Sequence, residues 1–339
     1  MPKIIRFGII GCSNVAKNSF IPALLKSKKS NLEFVGSRSK QKRLSFSKKF
    51  HCKTFGNYED VLANKNVDAV YISLPPALQE KWVILAAKAK KHIICEKSTS
   101  ISYKSAKKMI DECKKRHVRI MESFSFLYHP QHLEVINHLK HDKIGIPFFL
   151  NAKFGFTLSN SAKNFRLQKK LGGGILNDVG CYIIKISSTI FQDLPTSVLC
   201  NLTYDKKHKV DVQGSIYMTF KNNKTATGFF GYSNSFQSCY EIWGKNGLLN
   251  VETAFNLRKN RSGKIHLSTD DYSKRSVIPP SDQFQLMIEN FCGCLSKIIK
   301  LNHENNILKQ AFIMDCARKS ASKMKLIKIK NTKQFLDVE

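Results

Sequence analysis

Through the first 124 residues, short β-branched apolar runs alternate with longer stretches of helical periodicity. Apolar runs at 4–10, 32–36, 67–74, 92–96 and 118–124 predict strands, and the segments 15–25, 40–50, 58–63, 78–91 and 103–115 predict helices between them. In 78–91, Trp82, Leu85 and Ala89 share one face. Strands that read as near-continuous apolar runs belong to parallel sheets covered on both faces. Residues 1–124 are therefore expected to form a doubly wound α/β domain.

From residue 125 the rhythm changes. A helix is expected over 130–141 and a strand over 146–158, and the run Gly172-Gly173-Gly174 leads into an apolar helix over 175–191. Segments 197–204, 212–220, 225–234, 239–243 and 248–252 are separated by turn residues, which predicts a large, mostly antiparallel open sheet. Helices over 282–300 and 304–323 close an α+β domain spanning 125–330, with a tail over 331–339.

Composition adds one oddity. The chain of 339 residues carries 56 Lys+Arg against 25 Asp+Glu, a formal charge of +31. Such a balance raises nucleic acid, an anionic membrane surface or an anionic substrate as partners. The excess is nearly all lysine, however, whereas base readout leans on the bidentate fork of arginine. A solvated lysine surface is the simpler account. The excess is denser in the first domain, +17 over 124 residues against +14 over the remaining 215. No apolar stretch is long enough to span a bilayer, and the apolar run after the first basic residues is too short for a signal peptide. The ten cysteines are scattered without a CxxC pair or a zinc-ligand cluster, so reduced thiols, a cytoplasmic location and no metal are expected.

Three sites carry candidate chemistry. The first strand runs into Gly11-Cys12-Ser13-Asn14-Val15-Ala16. A dinucleotide turn wants glycine for the sharp bend, glycine where backbone meets pyrophosphate, and a small residue where helix meets strand. Gly11 and Ala16 fit the first and third roles, and Ser13 replaces the middle glycine. The second strand ends in Gly36-Ser37-Arg38-Ser39-Lys40-Gln41-Lys42, without the carboxylate that holds the ribose 2′-hydroxyl of NAD. Ser37, Arg38 and Lys42 suit a 2′-phosphate, which favours NADP over NAD. Cys95-Glu96-Lys97-Ser98 places Lys97 at the carboxyl edge of the sheet, where it can orient a hydroxyl or ketone, with Glu96 beside it.

Together these pieces resemble the glucose–fructose oxidoreductase/inositol dehydrogenase (Gfo/Idh/MocA) family of NAD(P)-dependent oxidoreductases, over nearly the whole chain. The resemblance rests on Arg6-Phe7-Gly8-Ile9-Ile10-Gly11-Cys12, on the stretch from Val67 to Pro75, on Cys95-Glu96-Lys97, on Met121-Glu122-Ser123-Phe124, and on Asn164-Phe165-Arg166 followed by Leu171 to Tyr182. It implies a Rossmann domain followed by an α+β substrate domain. It also implies cofactor contacts from Gly8, Gly11, Cys12, Ser13, Asn14, Val15, Leu74, Pro75, Leu78, Glu96, Lys97 and Arg166. Lys97 takes the place of the family's catalytic lysine, with Ser98 where proline is usual. Asp178, Gly180 and Tyr182 match the Asp-x-Gly-x-His/Tyr segment, and a phenol beside a lysine ammonium can act as general acid. Asp178 and Tyr182 share a face of an α-helix at that spacing; the structural alternative has Asp178 capping the helix and Tyr182 in the core.

The implied reaction is hydride transfer between NADP(H) and a carbinol or carbonyl carbon of a sugar or nucleotide sugar. Dihydrodiol or polyol oxidation and a non-catalytic nucleotide sensor are the alternatives. The implied assembly is a homodimer or homotetramer, with neither nucleic acid nor membrane as partner. Leu74-Pro75-Pro76-Ala77-Leu78-Gln79 departs from the family's Leu-Pro-Asn-x-x-His. His129, followed by proline, is read as structural.

Overall fold

Phe7, Ile9 and Ile10 have no solvent exposure in β1 (Ile5–Ile10), the central strand of a six-stranded sheet in the computed structural model. The structure describes residues 3–158, 164–296 and 302–330. The other strands of this sheet are β2 (Ser30–Gly36), β3 (Phe55–Gly56), β4 (Ala69–Ile72), β5 (His92–Cys95) and β6 (Ile120–Glu122). All pair in parallel in the order β3-β2-β1-β4-β5-β6. The chain order reverses at β1, so the crevice beyond the carboxyl ends of β1 and β4 is the topological switch point where such sheets bind ligands.

The connecting helices start at side-chain caps. Ser39 accepts from the Lys42 amide to start Lys40–Phe50, Asn57 and Asp60 form a reciprocal capping box for Tyr58–Ala63, and Ser102 caps Tyr103–Lys115. That last helix buries Ala106, Met109, Ile110 and Cys113, one stripe at helical spacing. The first helix differs from the expected plain α-helix: a π-turn at Ala16–Phe20 precedes Ile21–Lys26.

The chain divides into two units, Met1–Ser125 with Asp282–Leu308, and Phe126–Ser281 with Lys309–Glu339. The helix Gln283–Leu295, capped by Asp282, thus counts with the parallel sheet. Residues 297–300 of the expected 282–300 helix, and the expected tail over 331–339, lie outside the described residues. Glu304 reaches the edge strand of the parallel sheet, accepting from Arg119 at 2.7 Å and from the Ile120 amide at 3.2 Å.

The second unit holds a nine-stranded sheet made of β7 (Pro147–Thr157), β8 (Ser197–Tyr204), β9 (Asp211–Thr219), β10 (Thr225–Gly231), β11 (Ser233–Gly244), β12 (Gly247–Val251), β13 (Gly263–Thr269), β14 (Ser273–Ile278) and β15 (Ile327–Lys328). The order is β14-β13-β12-β11-β7-β10-β9-β8-β15, antiparallel except for β7 with β10. The helix Cys181–Phe191 packs on one face with Ile183 against Gly228 of β10, and it buries Ile184, Ile186 and Ile190. The hairpin β13–β14 lies outside the predicted strands, because only the Ile265 and Leu267 side chains are buried in it and the apolar pair Val277-Ile278 follows a polar run of Ser, Lys and Arg.

Candidate active site

In the first unit, the turn after β1 is fixed by backbone and side chain together. Gly11 sits at φ +106°, and a Cβ there would lie 2.6 Å from the Ser73 carbonyl oxygen, so both conformation and space demand glycine. Ser13, in the place of the middle glycine, accepts from the Ala16 amide at 3.0 Å and hydrogen-bonds the Ser73 hydroxyl. It thereby starts the helix and clamps the β1 turn to the β4 turn. Asn14 and Val15 are exposed at the helix start, where amide groups can face a phosphate. Cys12 is half-buried against the Gly36 carbonyl, and burial pushes its thiol up to about 11. Gly8 lies further down β1, against the Val61 and Val67 side chains, and admits a helix to the sheet.

Beyond β2, Ser37 is buried and accepts from the Ser39 amide at 3.2 Å, while Arg38, Lys40 and Lys42 are exposed. No carboxylate occurs between Glu33 and Glu59. Arg38 also bears on Tyr58, whose phenol is raised by burial and drawn back by that guanidinium. The donor set is what a 2′-phosphate requires, a guanidinium and ammonium groups at a helix start without a competing anion. At the end of β4, Leu74 is buried, Pro75 precedes the helix Pro76–Lys88, and Leu78 is half-buried in its first turn. Gln79, where the family has histidine, is fully buried and donates to the Leu74 carbonyl at 2.9 Å.

At the end of β5 the Tyr71 hydroxyl donates to Glu96 at 2.5 Å, and the Tyr71 ring stacks on Phe20 at 3.6 Å. Burial raises the Glu96 carboxyl, with Tyr71 and Lys97 pulling the other way. Lys97 is half-buried at the carboxyl edge, and the Lys97–Ser98 peptide is cis. Glu122, at the end of β6, accepts from the Thr99 amide at 2.9 Å and holds the segment after Lys97.

In the second unit the glycine run folds the chain back on itself. Gly174, at φ +118°, donates to the Arg166 carbonyl at 2.9 Å, and a Cβ there would collide with the Asp211 carboxylate. The return brings Arg166 Nε to 2.5 Å from Asp178, and the Tyr232 hydroxyl reaches the same oxygen at 3.4 Å. Burial lowers the Arg166 guanidinium, but Asp178 more than offsets it. Burial, reinforced by Asp178, drives the Tyr232 phenol far above its usual range, so it stays a hydroxyl. Asp211 caps the helix start, accepting from the Leu176 amide at 2.6 Å. Asp178 lies in a π-turn, Leu176–Gly180, and Tyr182 in the first turn of the following α-helix, so the expected α-helical spacing is widened. Tyr182 is half-buried, with ring centroids of Phe154, Phe126 and Phe255 5.2 to 5.5 Å away. His129 is buried and starts the helix Pro130–Lys140, its Nδ1 accepting from the Gln131 amide at 3.1 Å.

Residues 5–124 match the profile of the Gfo/Idh/MocA oxidoreductases with NAD-binding Rossmann fold, and 132–250 match the C-terminal domain of the same family. The chain belongs to the Gfo/Idh/MocA family. Among its relatives is the dTDP-3,4-didehydro-2,6-dideoxy-alpha-D-glucose 3-reductase of Actinomadura kijaniata, 29% identical over 94% of this chain and 96% of that one. The D-xylose 1-dehydrogenase (NADP(+)) 2 of Haloferax volcanii is 28% identical over 84% of this chain and 87% of its own. A crystal structure of KijD10, a 3-ketoreductase from Actinomadura kijaniata in complex with NADP and TDP-benzene, superposes with a TM-score of 0.88 at 28% identity, covering 93% and 97% of the two chains.

As a Gfo/Idh/MocA oxidoreductase, the chain keeps its expected site residues in two groups. Gly11, Cys12, Ser13, Asn14, Val15, Ser37, Arg38, Lys42, Leu74, Pro75, Leu78, Glu96 and Lys97 gather at the carboxyl edge of the parallel sheet, and Gly8 lies apart within β1. Arg166 and Asp178 come together in the second unit, with Tyr182 one turn on from Asp178. Ser73, Tyr71, Asp211 and Tyr232 complete these groups. Tyr71 and Ser73 fall within the Val67 to Pro75 stretch without a role read for them, and Asp211 and Tyr232 belong to no motif.

Proposed function

We propose that this oxidoreductase moves a hydride between NADP(H) and a carbinol or carbonyl carbon of a sugar, in the reducing direction on a nucleotide-sugar ketone. The observation that carries the reading is the carboxylate-free end of β2, where Arg38 and Lys42 stand exposed around a capped helix start. Asn14 and Val15 offer amides to the pyrophosphate, Arg38 and Lys42 hold the 2′-phosphate, and the Leu74–Pro75 turn lies along the cofactor. When bound, NADPH supplies the hydride. Tyr182 gives its phenolic proton to the forming alkoxide, and the Lys97 ammonium balances the charge on that oxygen and the phenol. Asp178, held by Arg166, orients a substrate hydroxyl. Phe126, Phe154 and Phe255 shield the Tyr182 ring from water.

Relatives that reduce a keto sugar and oxidise D-xylose support the substrate class, and the basic surface favours a substrate that carries a diphosphate. Exposed Leu199, Tyr217, Phe229 and Trp243 on the outer face of the nine-stranded sheet support a homo-oligomer built there. Ten free cysteines fit a cytoplasmic setting, and among the described residues no helix is long and apolar enough to cross a membrane. The test is a turnover panel of nucleotide-sugar ketones, free aldoses and trans-dihydrodiols with NADPH, NADH and their oxidised forms. NADPH-linked reduction of a nucleotide sugar is expected. Turnover of free aldoses or diols alone would replace the nucleotide-sugar reading, and preference for NADH would contradict the NADP reading.

A further inference from the structure

The second unit carries a cavity of about 670 Å³ on the loop between β12 and β13. Phe236 of β11, Asn256, Arg258, Asn260 and Arg261 of the loop, and Lys264 of β13 line it. Two of the three cationic side chains stand ready for a ligand. Arg258 and Arg261 are exposed, lie on one turn closed by an amide-to-carbonyl bond of 2.8 Å, and have no carboxylate partner among the described residues. The carboxylate in the wall, Glu252, is taken up by Arg275 at 2.7 Å and Lys264 at 3.8 Å. Phe236, 55% exposed, offers a bare aromatic ring at the rim.

The loop is also anchored beside the candidate proton donor. The amides of Ala254 and Phe255 bond to Ser238 at 2.6 and 3.2 Å, and the buried Phe255 ring lies 5.5 Å from the Tyr182 ring. A ligand in the cavity therefore lies one residue along the chain from the aromatic wall of Tyr182.

We propose that this cavity binds the nucleoside diphosphate end of the substrate, with Arg258, Arg261 and Lys264 on the diphosphate and the base stacked on Phe236. The inference rests on the nucleotide-sugar reading above and adds the site that recognises the handle. Paired guanidinium forks match phosphate oxygens, and an exposed aromatic ring takes a base face whatever the base. In a nucleotide sugar the hexose is bonded to the phosphate farther from the nucleoside, so a diphosphate held on this loop leaves the hexose outside the loop's own contacts and free for the acid/base groups.

Calorimetric titration of thymidine diphosphate and uridine diphosphate into the full chain tests the site, with NADPH as the control ligand. The wild type is expected to bind at least one diphosphate, and the double variant Arg258→Gln/Arg261→Gln to bind it about tenfold or more weakly with unchanged NADPH affinity. Phe236→Ala should weaken binding separately. With a nucleotide-sugar substrate, the double variant should show raised KM and nearly unchanged kcat. Diphosphate binding equal in wild type and variants overturns this site and leaves the nucleotide-sugar reading standing. A wild type that binds NADPH and neither diphosphate overturns that reading and the site with it.

Discussion

Replacing Asp178 by asparagine removes one charge and little else, which isolates the ion pair at the centre of the second unit. The Asp178 side chain is 9% exposed and that of Arg166 31%, with 2.5 Å between the paired atoms. At an effective dielectric near 20, two unit charges at hydrogen-bond distance attract by roughly 5 kcal/mol. Most of that is cancelled, because the carboxylate no longer has to be taken from water and the partly exposed Arg166 regains some hydration. The net loss is about 2 kcal/mol. For a unit of this size each kcal/mol moves the melting midpoint by about 2–4 °C, so Asp178→Asn should lower it by about 4–8 °C. Tyr232→Phe, which removes only the 3.4 Å hydrogen bond, should cost much less. Differential scanning calorimetry near neutral pH measures both. A midpoint for Asp178→Asn within about 1 °C of wild type would refute the reasoning, because a pair this buried cannot lose a charge at so small a cost.

Arg38→Asp removes the guanidinium and installs the carboxylate that NAD sites use, so kcat/KM for NADPH relative to NADH should fall by about a hundredfold. An unchanged ratio contradicts the NADP reading. Gly11→Ala forces a Cβ to within 2.6 Å of the Ser73 oxygen at φ +106°, and fluorescence titration should show NADPH affinity reduced by about tenfold or more. Retained affinity would mean that this turn does not touch the cofactor. His132 is buried between the Tyr240 hydroxyl and the Ala254 carbonyl, and burial pushes it down to about 4. Its folded value lies below an unfolded value of about 6.5, so its contribution is fully present above that pH and is lost as the pH falls toward 4. Urea midpoints across that window should drop in the wild type and drop less in His132→Gln; parallel curves would assign the acid sensitivity elsewhere.

Much of the scaffold is legible in the chain because parallel strands bury both faces and therefore spell themselves out as apolar runs. The turn after β1 is equally plain, since Gly11 closes a strand and precedes a helix. Long-range polar pairing is what linear patterns hide. Ser13 looks like a defect in a glycine motif until Ser73, sixty residues away, is found bonded to it. Arg166 and Asp178 meet because Gly174 turns the chain back, and Tyr232 joins them from the end of β10. Asp211 supplies a cap that local sequence would assign to Asp178. The two π-turns leave no hydrophobic signature, since one extra residue in a helical turn barely disturbs the periodicity. The net charge also reads differently against the fold. It resolves into a basic helix start beyond β2, a pair of arginines on the β12–β13 loop, and a dispersed remainder of solvated lysines.

The acid/base assignment meets its most direct test in Lys97→Met, assayed for both NADPH binding and single-turnover hydride transfer. NADPH affinity within about threefold of wild type, with turnover reduced by about a thousandfold or more, is the predicted result. Full turnover in that variant would contradict the central claim.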